Sequence, residues 1–182
     1  MMPKQLSRST IYESDWINLH LDKVIFPDGR LIDKHHYLDF PKTSVAALVE
    51  NDNAELLLIQ AYRYTTGSIE WEIPAGWCET SETIIETAQR EVLEETGYQT
   101  EKHSLLYKFN PLIGISNAIH HIVYCRAAQS VADFDRNEVN STHWISLPKV
   151  RNMIEEQRIY DGLSLMALLI YISQEDKIHE NE

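Results

Sequence analysis

The distribution of apolar and polar positions along the chain predicts a protein of mixed α and β structure. In the first 40 residues, INLHLDKVIF alternates in part, PDGR supplies a turn and LIDKHHYLDF predicts a returning strand, which together indicate a hairpin. The apolar segments SVAALVE and AELLLIQAY predict two strands joined by a turn at residues 51–53. Further strands are predicted in IEWEIPAG, HSLLYKFN, HHIVYCRA and THWISL. Strands with a few interspersed helices favour an α+β or layered α/β domain.

Three helices are predicted, and the best supported of them spans residues 83–96. Thr83 and Glu86 match a capping box, and Gly97 stands where a helix commonly ends in a left-handed conformation. The apolar stripe of this helix comprises Ile84, Ile85, Ala88 and Val92. The segments PKVRNMIEEQ and LSLMALLIYISQ predict two closing helices, and the second is apolar enough to pack on the core.

Three glutamates crowd the second half of the first helix. Glu91, Glu94 and Glu95 fall within about 100° of arc, beside the apolar stripe rather than opposite it. Neighbouring carboxylates in a partly dry position repel each other unless a cation lies between them, and Mg²⁺ prefers such oxygen ligands. Geometry alone leaves two interpretations open, a metal site at the rim of a cleft and a solvated acidic face. Arg90 precedes Glu94 by four residues, which suits an ion pair.

Length, charge and cysteine content narrow the class of protein. The chain has 182 residues, which suits one domain with a small additional piece. Its formal net charge of −12, from 16 basic and 28 acidic residues, argues against a uniform basic surface for nucleic acid. Cys78 and Cys125 form no CxxC pair, and no run of about 20 apolar residues suggests a membrane span. We expect a soluble, cytoplasmic protein without nucleic-acid or membrane partners.

The spacing of residues in the segment 76–98 raises the metal interpretation well above the other. Gly76 is followed after five residues by Glu82 and, after seven more, by the run REVLEETG at 90–97. This pattern resembles the Nudix box, the signature of Nudix hydrolases, although Tyr98 stands where the family usually has an aliphatic residue. The segments QAYRYTTGSIEWEIPAG, VIFPDGR and DGLSLMALLIY are similar to ADP-ribose and nucleoside diphosphate sugar pyrophosphatases.

The resemblance implies both a fold and an activity. The expected fold is a Nudix α/β/α sandwich with a mixed β-sheet at residues 43–182, preceded by a small N-terminal β-subdomain at residues 1–42 that serves dimerisation. The expected activity is metal-dependent hydrolysis of the diphosphate bond of nucleoside diphosphate sugars by a homodimer, with Mg²⁺ or Mn²⁺ as cofactor. The alternatives are a Nudix hydrolase of another nucleotide, such as a dinucleoside polyphosphate, NADH or a nucleoside triphosphate, and a non-catalytic nucleotide-binding regulator.

The resemblance also implies roles for individual residues of the catalytic centre. Its metal ligands would be Glu91, Glu95, Glu94 and the carbonyl of Ala75. Arg90 and Glu94 are counted with the catalytic group, and Glu82 and Arg90 are expected to orient the metal-binding helix. The general base is expected in the acidic segment DFDRNEVN, where Glu138 is preferred and Asp135 is held in reserve.

Four further residues are expected to bind the substrate. Arg63 is similar to an arginine that binds the substrate phosphate, and Glu72 is expected to contact substrate or metal. Tyr12 and Trp16 are expected to stack on the nucleobase. The segment NPLIGISN departs from the Ser-Pro-Gly-like turn common in ADP-ribose pyrophosphatases, which leaves a different sugar, such as that of GDP-mannose, open.

Overall fold

The computed structural model describes residues 1–180 and arranges them as ten strands and three helices. The strands are β1 (Lys4–Tyr12), β2 (Asn18–Ile25), β3 (Leu31–Asp39), β4 (Ser44–Glu50), β5 (Glu55–Arg63), β6 (Ser68–Glu72), β7 (Ala75–Trp77), β8 (Tyr98–Phe109), β9 (His120–Ser130) and β10 (Val139–Ser146). The helices are α1 (Ile84–Thr96), α2 (Leu147–Glu155) and α3 (Gly162–Glu180). Among the described residues, no helix is long and apolar enough to cross a membrane.

A first unit combines residues 1–43 with residues 109–119. Its strands form an antiparallel sheet in the order β1-β2-β3, as expected from the predicted hairpin. Gly29 takes a positive φ of 86° in the turn between β2 and β3, where its N–H donates to the Phe26 carbonyl. The segment 109–119 joins the unit through backbone hydrogen bonds from the Leu38 N–H to the Ile115 carbonyl and from the Asn117 N–H to the Leu38 carbonyl. The sequence prediction placed residues 1–42 in this part of the chain and did not include 109–119.

The second unit holds a seven-stranded mixed sheet with helices on both faces. The strand order is β10-β5-β4-β9-β8, and β4 pairs parallel with β9 but antiparallel with β5. Every residue of β4 is buried, as expected for a central strand that is covered on both sides. Val45 and Val49 pack with the apolar stripe of α1, while Tyr124 of the neighbouring strand stacks on Tyr171 of α3. The predicted α/β/α sandwich is therefore confirmed.

The predicted strand IEWEIPAG is wrong as one continuous element. It is divided into β6, which pairs with β5, and β7, which pairs with β4. The break falls at Ile73 and Pro74, and Pro74 has no N–H with which to extend a ladder. The Pro74 carbonyl instead accepts from the Ala47 N–H at 2.8 Å. This exchange of partners brings Ala75 to the start of β7, beside helix α1.

Helix α1 begins and ends where the sequence predicts. The Thr83 hydroxyl accepts from the Glu86 N–H, and the Glu86 carboxylate accepts from the Thr83 N–H, which completes the capping box. Gly97 ends the helix with a φ of 75°, and its N–H donates to the Leu93 carbonyl at 2.9 Å. Contacts between residues close in sequence thus set where helix α1 begins and ends, and therefore the directions in which its glutamates point.

Candidate active site

Helix α1 divides its three clustered glutamates between the interior and the surface. Glu91 and Glu95 lie one turn apart and are 9% and 6% exposed. The Glu94 side chain lies between them in sequence but is 55% exposed. Since residues four apart share a helix face, Glu91 and Glu95 form a pair at the edge of the buried stripe. The predicted arc therefore contains two buried carboxylates and one at the surface.

Glu95 is a buried carboxylate with little compensating charge. Burial raises its pKa to about 8, although the Ala75 N–H that donates to its Oε2 at 3.0 Å works in the opposite direction. The negative charges of Glu91 and Glu138 raise the pKa further, and the positive charge of Arg63 lowers it. Glu95 is therefore a group whose charged form needs a cation.

Glu91 packs directly against the backbone at Gly76. A Cβ built on Gly76 would lie 1.8 Å from Oε1 of Glu91, so a side chain at this position would displace the carboxylate. Burial raises the pKa of Glu91, while an Arg90 Nη1 hydrogen bond of 2.7 Å acts against that rise. The first glycine of the box thus makes room for a carboxylate and has no positive φ to satisfy.

Arg90 joins the two ends of the box. Its Nε and Nη2 donate to the two carboxylate oxygens of Glu82 at 2.7 and 3.0 Å, and Nη2 also donates to the Trp77 carbonyl. Hydrogen bonding to Arg90 is the largest of the effects that lower the pKa of Glu82 to about 2. Nη1 contacts Glu91 and Glu94 at 2.7 and 3.1 Å. These contacts join helix α1 to the loop before it.

Arg63 and Glu72 form a bidentate ion pair across strands β5 and β6. The Arg63 Nε and Nη2 donate to Oε1 and Oε2 of Glu72 at 2.8 and 2.5 Å, and the Glu72 carboxylate is buried. This pairing is the main cause of the raised pKa of Arg63, and the charge of Glu95 contributes to it. The predicted phosphate-binding arginine therefore lies beside the buried carboxylates of α1, and Glu72 is its partner.

Glu138 reaches the same site from the loop that precedes β10. Its carbonyl accepts from the Tyr62 N–H at 3.0 Å, which ties the loop to β5. Its carboxylate is close enough to raise the pKa of both Glu91 and Glu95. The carboxylate of Asp135, the reserve candidate, binds instead the backbone N–H and side-chain amide of Asn137.

Two residues that support the site were missed in the sequence. Asp161 accepts from the Ser164 N–H and hydroxyl at 2.7 Å, as the N-cap of α3 would. The buried Ser164 hydroxyl accepts from the Ile73 N–H at 3.0 Å, at the break between β6 and β7. The four-residue pattern DGLS is a capping signal that predicts this helix start. Its connection to Ile73 depends on a contact 91 residues away.

The predicted base-stacking residues lie in the first unit. Tyr12 and Trp16 are 57% and 58% exposed, and the Lys42 Nζ lies 5.0 Å from the centre of the Trp16 ring. Their stacking on a nucleobase stays a prediction.

The donor atoms of the second unit fit a hard divalent cation. Glu91 and Glu95 offer oxygens of buried carboxylates whose pKa values are raised by burial, and cations such as Mg²⁺ prefer oxygen ligands. Across residues 1–180, no three acidic, histidine or cysteine side chains already converge as a ligand cluster. Arg90 donates to one oxygen each of Glu91 and Glu94, and the Ala75 N–H donates to one oxygen of Glu95.

The family follows from comparison with known proteins. The NUDIX domain model matches residues 40–163, which is more than half of the chain. The chain belongs to the Nudix family. A second model, described as the nucleoside diphosphate sugar hydrolase N-terminal domain, matches residues 4–38. The protein is therefore a Nudix hydrolase of the nucleoside diphosphate sugar hydrolase type, as the sequence predicts, and hydrolases of this family use divalent metal ions.

Three individual proteins illustrate the likeness. The methanol dehydrogenase activator of Bacillus methanolicus is 27% identical over 180 residues, 97% of this chain and 96% of that protein. The ADP-ribose pyrophosphatase of Bacillus subtilis is 25% identical over 168 residues, 91% of this chain and 90% of that protein. A crystal structure described as ADP compounds hydrolase shares the fold with a TM-score of 0.83 at 19% identity, covering 97% and 96% of the two chains.

Proposed function

We propose that this protein hydrolyses the diphosphate bond of a nucleoside diphosphate sugar, such as ADP-ribose or GDP-mannose, with Mg²⁺ or Mn²⁺. The products are a nucleoside monophosphate and a sugar phosphate. The observation that carries the proposal is the pair Glu91 and Glu95, two carboxylates on one face of helix α1 whose pKa values are raised by burial. Arg63 lies beside this pair, and Glu138 approaches it from a separate loop.

The divalent ion would be held by Glu91 and Glu95, with Glu94 and the carbonyl of Ala75 as further ligands. When bound, it would neutralise the charge of the two phosphates and of the carboxylates. Arg90 holds the loop at Glu82 and Trp77 against α1, so the ligands on the helix keep their places relative to Ala75. This role makes Arg90 an orienting residue of the catalytic group.

Arg63 supplies the positive charge that the protein itself brings to the phosphates. Guanidinium groups bind phosphate through several donors in a fixed plane. Glu72 accepts from Nε and Nη2 of Arg63 and so sets the orientation of that plane before substrate binds. Glu72 therefore acts on the substrate through Arg63.

Glu138 is the general base in this proposal. It takes a proton from the attacking water as the water oxygen bonds to one phosphorus of the bridge. The bond between that phosphorus and the bridging oxygen breaks, and the bridging oxygen leaves with the other phosphate. A positioned base of this kind contributes roughly 10²- to 10⁴-fold to the rate.

The substrate class is supported by the relatives. The proteins of Bacillus subtilis and Mycobacterium tuberculosis are named ADP-ribose pyrophosphatases, and both align over nine-tenths or more of this chain. Stacking of Tyr12 and Trp16 on the base, a homodimer and a cytoplasmic location belong to the same proposal. Another nucleotide that is not a nucleoside diphosphate sugar, such as NADH, a dinucleoside polyphosphate or a nucleoside triphosphate, is the alternative substrate.

A substrate panel tests the proposal. Product formation is measured by anion-exchange chromatography for ADP-ribose, GDP-mannose, UDP-glucose, NADH, diadenosine polyphosphate and ATP with Mg²⁺ and with Mn²⁺. Glu95→Gln is the inactive variant, and Glu101→Gln, an exposed change on β8, is the matched control. The proposal expects one of the sugar nucleotides to be the best substrate and Glu95→Gln to lose turnover. Equal activity of wild type and Glu95→Gln would refute the metal assignment, and preference for NADH, the dinucleoside polyphosphate or ATP would refute the substrate class.

A further inference from the structure

We propose that Asp135 is a positioning residue for the reaction and holds the turn that carries Glu138. The inference rests on the proposed function, in which Glu138 is the general base. It assigns two of the three acidic residues of segment 131–138, called here the base loop, to different tasks. One carboxylate takes the proton, and the other organises the backbone that presents it.

The base loop is docked on the C-terminal end of helix α1. The N–H groups of Val131 and Ala132 donate to the Gly97 carbonyl at 2.9 and 3.3 Å, and the Asp135 N–H donates to the Glu94 carbonyl at 2.9 Å. The last carbonyls of a helix have no partner within the helix, so such donors satisfy them. The helix that carries the buried carboxylates thus also binds the loop that carries the base.

Gly97 allows this close approach. A Cβ built on Gly97 would lie 2.1 Å from the Ala132 carbonyl oxygen, a backbone atom that cannot rotate away. The final glycine of the box therefore has two functions. It takes the positive φ that ends the helix, and it leaves room for the base loop.

Asp135 holds the residues on both sides of Glu138. Its Oδ1 accepts from the backbone N–H and the Nδ2 of Asn137, both at 2.8 Å, and its own carbonyl accepts from the Val139 N–H at 3.0 Å. Glu138 lies between these two anchored neighbours, and its carbonyl is bound by Tyr62. The backbone of Glu138 is thereby held from both sides and from strand β5.

The hydrogen bonds of the Asp135 carboxylate argue against its acting as the general base. Oδ1 already accepts two hydrogen bonds within the loop, and these bonds serve to form the turn. Glu138, in contrast, is the loop residue whose charge acts on Glu91 and Glu95. An amide oxygen accepts the same two bonds as the carboxylate, so asparagine preserves these side-chain bonds and alanine removes them.

The expected effect is on turnover. A displacement of about 1 Å in a catalytic group costs up to roughly 100-fold in rate, so Asp135→Ala should lower kcat by about 10- to 100-fold. KM should change little, because Arg63 and Glu72 do not depend on the loop turn. Asp135→Asn should restore kcat to within a few-fold of wild type.

The test measures kcat and KM of Asp135→Ala, Asp135→Asn and Glu138→Gln on the best substrate of the panel at saturating Mg²⁺. Asp133→Ala is the matched control, since it removes the same charge from the same loop. The Asp133 carboxylate contacts the Phe134 N–H and Arg136, not the turn at Asn137, so this variant should stay near wild type. Hydrogen exchange of the metal-free protein adds a second readout, in which residues 131–139 should exchange faster in Asp135→Ala but not in Asp135→Asn.

The outcomes separate this inference from the proposed function. If Asp135→Asn is as impaired as Asp135→Ala while Glu138→Gln is also impaired, a carboxylate is required at 135 and the positioning role is wrong. If Asp135→Ala turns over like wild type, the positioning role is likewise wrong. If instead Glu138→Gln keeps near-wild-type turnover, the proposed base is wrong, whatever the variants at 135 do.

Discussion

Helix α1 and the base loop bring carboxylates to one site by opposite means. In the helix, a capping box at Thr83 and a left-handed Gly97 set the ends, and helical spacing then places Glu91 and Glu95 on one face. In the base loop, the Glu138 carbonyl accepts a hydrogen bond from the Tyr62 N–H, and other loop residues are anchored on Glu94 and Gly97. The difference shows that the helix part of this site depends on residues close in sequence, whereas the loop part depends on contacts between distant segments of the chain.

The largest expected effect separates the two kinds of glutamate within the helix. Glu91→Gln should lower kcat by about 10³-fold, since a metal contributes several kcal/mol to the transition state and 1.4 kcal/mol is tenfold in rate. Glu94→Gln should lower kcat by less than about tenfold, because the Glu94 side chain is mostly exposed and pairs with Arg90. Steady-state kinetics with a Mg²⁺ titration checks both. Equal losses in the two variants would contradict the division of the helix into a buried and a surface carboxylate.

The pH dependence of stability tests the burial of Glu95 in helix α1. The folded-state pKa of Glu95 is raised to about 8, so folded metal-free protein keeps a proton that the unfolded chain releases above its ordinary 4.5. The contribution of Glu95 to the free energy of unfolding is fully present below pH 4.5 and is lost as the pH rises to 8. The full rise corresponds to roughly 5 kcal/mol as an upper value.

Urea unfolding in EDTA measures this effect. The free energy of unfolding of wild type should fall relative to Glu95→Gln between pH 4.5 and pH 8, with the two proteins nearly equal at the lower end. Saturating Mg²⁺ should flatten the difference, since the ion stabilises the charged form. A constant difference across this range in EDTA would mean that Glu95 is not buried as described.

Removal of a loop anchor tests the tertiary side of the comparison. Phe134 packs against the buried residues Ile59, Ala61 and Val139, and the Arg136 guanidinium lies 4.8 Å from the centre of its ring. Phe134→Ala should lower kcat by about tenfold, since a loosened loop would misplace the proposed base Glu138. Its cost in stability should stay near 1 kcal/mol, below the 3–5 kcal/mol of a fully buried phenylalanine. Kinetics and urea unfolding of the same variant measure both, and a stability loss without a kinetic one would argue against the anchor.

The smallest expected effect comes from removing the N-terminal cap of helix α1. Thr83→Ala removes one half of the capping box and should cost about 1 kcal/mol of unfolding free energy. For a chain of this length, that loss lowers the melting temperature by about 2–4 °C. Turnover at 25 °C should stay near wild type, because α1 remains packed against β4 through Ala88 and Val92. Calorimetry and kinetics together check this, and a large loss of kcat would show that the cap is coupled to the site.

The elements near the site were predictable where short-range rules apply. The helix ends, the two buried strands β4 and β5 and the apolar stripe of α1 all follow from neighbouring residues. Arg63 and Glu138 were proposed from resemblance, because the chain between them and the box contains no local signal of proximity. The division of IEWEIPAG into β6 and β7 was missed, because Pro74 marks a break but does not show which strand each half will join.

The sequence by itself determined the box helix, its capping, the spacing of Glu91 and Glu95 and the type of reaction that such a pair can support. These depend on contacts three or four residues apart, which a linear pattern records. Only the tertiary structure decided that Glu72 pairs with Arg63, that Ser164 accepts from the Ile73 N–H, and that the base loop docks on Gly97. Some of these contacts join residues that are distant in the chain, and others use carbonyl groups at the end of helix α1. Their geometry exists only after the sheet and helices have packed.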